Sequence, residues 1–147
     1  MDILPTPGYF KSAVAGALLC LAAGHAAAET VVIVSIKNPV GTLNAAQVSD
    51  IFLGRVWVFP TGARAIPLDQ DEGAPARDGF YLKITGKSPA QMYSYWSKII
   101  FTGRAQTPKE IGDGAEVRKM VAQNVNMIGY VDKSLVDSSV KIVLSIP

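Results

Sequence analysis

The residues best suited to chemistry lie together in I-P-L-D-Q-D-E-G-A-P-A-R-D-G-F-Y, Ile66 to Tyr81. Asp69, Asp71 and Glu72 stand within four residues, followed by Gly73-Ala74-Pro75 and then Arg77. The apolar run before them predicts a strand, and Pro75 fits the first turn of a helix. A strand that turns through glycine into a helix offers free N–H groups and the positive end of a helix dipole, which suits an anion. On that reading Gly73 and Ala74 carry the backbone that meets the ligand. Arg77 reaches back as a fork-shaped donor, and Asp71 accepts a proton from a monoprotonated anion or orients Arg77. Three acids would repel an anion unless they are paired, and Pro75 removes one donor. The alternative is plainer: the acids satisfy the helix N-terminus themselves, and Arg77 lies on a helix surface.

Other groups make weaker claims. Thr102-Gly103-Arg104 brings a hydroxyl and a guanidinium together, as a solvated turn also would. Tyr93, Tyr95 and Trp96 form an aromatic cluster at helical spacing, so at least one belongs to the core. Arg118-Lys119 reads as a solvated helix face, and Asn124, Asn126 and Gly129 as a turn entering a strand.

These residues must be positioned by whatever remains after the first 28. Lys11, the apolar run Ala13–Ala23 and His25-Ala26-Ala27-Ala28 have the order of an export signal with cleavage after Ala28. The sole cysteine, Cys20, and the sole histidine, His25, both fall inside it. Residues 29–147, about 119 in all, thus form one domain without disulfides, thiol chemistry, histidine triads or the usual zinc sites. No metal or cofactor is expected, and no enzyme: acid–base work would rest on Asp, Glu, Lys or Tyr alone. Net charge is +2 and dispersed, without the basic face that nucleic-acid binding needs. Export places the protein in the periplasm.

Strands and helices alternate along this domain. Val31 to Ile36 is a β-branched run suited to a strand covered on both faces. Asn44 and Gln47 form a capping box for a helix that carries Val48, Ile51 and Phe52 on one face and ends at Gly54. Arg55 to Gly62 is an irregular extended piece with a turn, and Ala65 to Leu68 a strand. A helix from Pro75 stops near Gly86, and Ser88 with Gln91 caps the next. Asp113 with Glu116 makes a third capping box, opening a fourth helix, before strands at Asn126–Val131 and Val140–Ile146. The pattern predicts an α/β domain with a small mixed sheet of three to five strands flanked by helices.

Taken in order, these blocks resemble the phosphate-binding proteins of ABC transporters. Ser49-Asp50-Ile51-Phe52-Leu53-Gly54-Arg55, followed by Trp57, is similar to that family's "ADIFLGK…W" passage. Ile66 to Pro75 falls where the family has a strand and an R-x-D-x-S-G-T loop, and Asn126 to Val131 resembles its "GAIGYV" segment. The resemblance runs from Val31 to Ile146 and is shared with short, exported, single-domain proteins carrying this region alone. It implies a single lobe of the periplasmic-binding-protein type and phosphate or a related oxyanion as ligand, for transport or sensing. Within the loop only Asp71 matches a phosphate-contacting residue. Asp69 stands near the family's arginine, Gly73 at its serine and Pro75 at its threonine, with Arg77 one turn later. Two functions therefore stand open: an oxyanion-binding protein, or an interaction or sensory module that keeps the fold without the ligand. A homodimer, or a membrane transporter or sensor protein, could complete the open half-site.

Overall fold

A computed structural model describes residues 29–103 and 107–147. Its centre is a five-stranded mixed sheet of β1 (Thr30–Ser35), β2 (Ile66–Gln70), β3 (Lys109–Gly112), β4 (Met127–Asp132) and β5 (Val140–Ile146), in the order β3-β2-β4-β1-β5. β1 pairs antiparallel with β4 and β5, and β2 runs parallel to β3 and β4.

Both faces of β1 are buried, as its V-V-I-V run anticipates, and they feed two separate cores. Val32 and Val34 face one core with Phe52, Phe80, Trp96 and Tyr130. Val31 and Ile33 face the other with Leu68, Val117 and Val121. The helices α1 (Ala45–Phe52), α2 (Pro75–Thr85) and α3 (Pro89–Thr102) supply the first, and α4 (Gly114–Gln123) the second. The sheet thus lies between helical layers, which is the α/β arrangement expected from the alternation.

The local signals act as their chemistry requires. Asn44 and Ser88 make full capping boxes, with Gln47 and Gln91 returning the bond. Asp113 accepts from the Glu116 N–H. Gly129 lies inside β4 rather than in a turn before it. A methyl group there would meet Val117 Cγ1 at 2.4 Å, so glycine is what lets α4 sit directly on the sheet. The sequence reading contains no strand at Lys109–Gly112. Its four residues include two charges and a glycine, and they form a strand because β2 pairs with them.

Candidate functional site

The loop between β2 and α2 is built on a buried carboxylate. Asp69 is 2% exposed, at the point where β2 passes under α2. One of its oxygens accepts from the Tyr130 hydroxyl and, at 3.0 Å, from the Gln70 N–H. The other accepts from the Tyr81 hydroxyl at 2.8 Å and lies 3.5 Å from Arg77 Nε. Aromatic packing holds the donors in place. Tyr130 stacks on Phe80 at 3.9 Å between centroids, Phe80 meets Phe52 edge-on at 4.8 Å, and Tyr81 follows Phe80 in α2.

Burial pushes the Asp69 carboxyl above its ordinary value, although both tyrosine hydroxyls, Arg77 and the Gln70 N–H pull the other way. Burial and the neighbouring carboxylate push Tyr81 and Tyr130 well up, so both remain hydroxyl donors at neutral pH.

Arg77 is occupied on two sides. Besides Asp69, it donates to the Gln70 carbonyl at 3.2 Å and pairs with Glu110 of β3 at 3.6 Å. Glu110 in turn accepts from the Glu72 N–H at 3.3 Å. A carboxylate of the chain itself therefore bridges the loop's arginine and one of its backbone donors.

The four residues expected to bind an anion are brought into one loop. Asp71 is exposed, gives its N–H to the Gly112 carbonyl at 2.9 Å, and receives the Ala74 N–H at 3.0 Å. Its carboxylate has no hydrogen-bond or ion-pair partner among the described residues, so Arg77 is oriented by Asp69 and Glu110 rather than by Asp71. Gly73 adopts φ +81°, which favours glycine, and faces open space. Ala74 is the N-cap of α2 with no side-chain bond to the first turn, and Pro75 follows at N1. The idea that the acids cap this helix is therefore overturned. Asp69 is turned into the core by the tyrosines, and Asp71 and Glu72 point to solvent.

Beside the loop, facing α3, opens a cleft of about 450 Å³ lined by Asp69, Glu72, Asp78 and Glu110, with Tyr93 and Trp96 across it. Among the described residues, four carboxylates there face the single guanidinium of Arg77.

The weaker candidates resolve individually. Trp96 is buried in the core. Tyr95 donates to the Leu53 carbonyl at 2.7 Å, and Tyr93 stands 71% exposed. The Thr102 hydroxyl is satisfied by the Ile99 carbonyl within its own helix, while Arg104 lies outside the described residues. Arg118 is not simply solvated, because it pairs with Asp137. Among the described residues no cluster of three or more His, Cys, Asp or Glu could hold a metal ion, and no helix is long and apolar enough to cross a membrane.

Tyr81, Tyr130 and Glu110 were not singled out by sequence reasoning. Tyr81 carried a signal, since it stands one turn after Arg77 on the face that looks back toward β2. Tyr130 and Glu110 reach the site only through strand pairing.

The fold has counterparts among solved structures. A structure from Clostridium perfringens, described as a phosphate ABC transporter substrate-binding protein with bound phosphate, superimposes with a TM-score of 0.63 at 23% identity. That match covers 79% of this chain and 45% of the other. An ABC-type phosphate transport receptor from Vibrio cholerae matches with a TM-score of 0.62 at 18% identity, over 79% and 47% of the two chains. PstS from Borrelia burgdorferi gives 0.60 at 14%, again over 79% and 47%. The chain has the fold found in these phosphate-binding proteins and spans less than half of their length. The sequence matches no protein-family model and no curated protein.

Proposed function

We propose that this chain is an exported, non-enzymatic lobe of the phosphate-binding-protein type. It works as an interaction or sensory module, its oxyanion loop occupied by its own carboxylates. One observation carries this reading: Arg77 is held by Asp69 and Glu110 while Glu110 also takes the Glu72 N–H. An incoming phosphate would have to displace a tethered carboxylate and then sit among Asp69, Glu72, Asp78 and Glu110, where like charge opposes it. Residues 1–28 act as the export signal, which places the mature chain in the periplasm. A membrane transporter, a sensor protein or a second copy covers its open face.

A second reading, oxyanion binding for ABC-type transport or sensing, has its own support. The first turn of α2 lacks a side-chain cap, leaving room for an anion at the helix dipole, and a protein of the same fold is described with bound phosphate.

Calorimetric titration with phosphate, sulfate and nitrate separates the two. The module reading expects no saturable heat from the unaltered protein. It expects weak phosphate binding to appear in Glu110→Ala, which frees the Glu72 N–H and the Arg77 nitrogen that Glu110 holds. Saturable phosphate heat in the unaltered protein, lost in Arg77→Ala, would overturn it in favour of the oxyanion reading. Export is checked by cell fractionation, with Glu29 expected as the N-terminal residue of the periplasmic form.

A further inference from the structure

At the opposite end of β2 the chain forms a second concavity with a contrasting character. Residues Arg55 to Ala65 fold back as a short hairpin, closed by an isolated bridge between Val58 and Arg64 and anchored by the buried Phe59. Between this hairpin and the starts of β2 and β3 lies a groove of about 560 Å³, within the size range of small-molecule sites. Ile51, Val58, Ile66 and Pro67 line it with apolar surface; among the described residues its charges are Arg64 and Lys109, and no acid lines it.

Two features set this groove apart from an ordinary surface dent. Of the four described arginines, Arg55, Arg77 and Arg118 each have a carboxylate within ion-pair distance, and Arg64 alone has none. Lys109 likewise has no ion pair among the described residues. The wall is an indole whose polar atom is already satisfied, because Trp57 Nε1 donates to the Gly54 carbonyl at 3.0 Å. Trp57 as a whole is 52% exposed and lines the groove. It therefore offers a fixed apolar face at little entropic cost.

We propose that this groove binds a small amphipathic carboxylate, a short aryl or alkyl acid. Its carboxylate is taken by Arg64 and Lys109, and its apolar body lies against Trp57, Val58 and Pro67. The charge is complementary, the guanidinium fork matches a carboxylate in two-point geometry, and the apolar lining rewards a hydrocarbon body. Inorganic phosphate would use the cations and waste that surface. The site shares only Thr107 with the cleft beside the loop after β2, so the two proposals are tested separately.

Trp57 supplies the readout, since Trp96, the only other tryptophan, is buried in the core. The test titrates the full protein with phenylacetate and with octanoate, following tryptophan fluorescence and, in parallel, heat. The neutral control is phenethyl alcohol, which has the body without the charge. Saturable binding of an acid is expected, at least about tenfold weaker for the alcohol, and weakened about five- to tenfold by Arg64→Gln and by Lys109→Gln. Binding should persist in Arg77→Ala, because Arg77 contacts Asp69, the Gln70 carbonyl and Glu110, none of which lines the groove. No saturation by either acid up to about 10 mM would overturn the proposal, since affinity weaker than that leaves no specific site. Equal binding in Arg64→Gln and Lys109→Gln would overturn it too, as would displacement of the acid by phosphate at matching concentration. That last outcome would make the groove an inorganic-anion site.

Discussion

The two ends of β2 place charge in opposite ways. At its C-terminal end Asp69 is buried, Arg77 closes over it, and Glu110 arrives from β3 to complete the pairing. At its N-terminal end Arg64 and Lys109 border an apolar groove without a carboxylate between them. Lys109 and Glu110 are consecutive residues of one strand, and the alternation of side chains across a strand sends them to different concavities. Two concavities built on one strand can thus carry opposite charge. An end whose donors are answered internally is architecture first. An end whose donors remain open is where a ligand gains most, because the cost of organising the charge has already been met without a partner to displace.

The sharpest way to break this contrast is Asp69→Ala. It leaves two tyrosine hydroxyls and part of Arg77 unanswered in a buried place, while the Gln70 N–H keeps the Tyr130 oxygen at 3.2 Å, and a loss of about 3–5 kcal/mol is expected. Urea unfolding measures it, with Asp69→Asn as a milder companion that keeps an acceptor. A loss below about 1 kcal/mol would show that the loop is not anchored as described. Tyr81→Phe removes a single buried donor from the same carboxylate and should cost about 1–3 kcal/mol, read in the same assay.

The pH dependence sharpens the point further. Burial raises the folded Asp69 carboxyl above its ordinary 3.8, so in that window the native state holds the proton more tightly than the unfolded chain does. The contribution of Asp69 to stability therefore falls as pH rises from about 3.8 through the raised folded value. Asp132 and Asp137 are held below their ordinary values by local hydrogen bonds and act with the opposite sign. The prediction accordingly concerns the difference between the unaltered protein and Asp69→Asn. Unfolding curves between pH 3 and 7 should show the gap between the two shifting against the unaltered protein as pH rises. A gap independent of pH would remove the titration of Asp69 from the account. The smallest effect belongs to the other end: Arg64→Ala should change stability by no more than about 0.5 kcal/mol, because the Val58–Arg64 bridge is made by the backbone and the side chain has no bonded partner among the described residues. A larger loss would make Arg64 structural and weaken its claim as an open donor.

Much of this molecule is written locally, and the sequence by itself determined those parts. β1 follows from a β-branched run, α1 and α3 from Asn44–Gln47 and Ser88–Gln91 boxes, and the turn into α2 from Gly73 and Pro75. Each depends on neighbours a few residues away, where propensity and capping act. The loop itself was likewise legible as the place where acids, glycine and arginine meet. What those residues do to one another was not. Asp69 looked like one of three acids at a helix start, and only the tertiary structure sets it beneath Tyr81 and Tyr130, the latter 61 positions away. Glu110 sits on a strand with no propensity of its own and closes on Arg77 because β2 recruits β3. The physical reason is range. Caps and turns are settled within one turn of chain, whereas the sign and openness of a pocket depend on which carboxylates pairing and packing bring within a few ångströms of each cation.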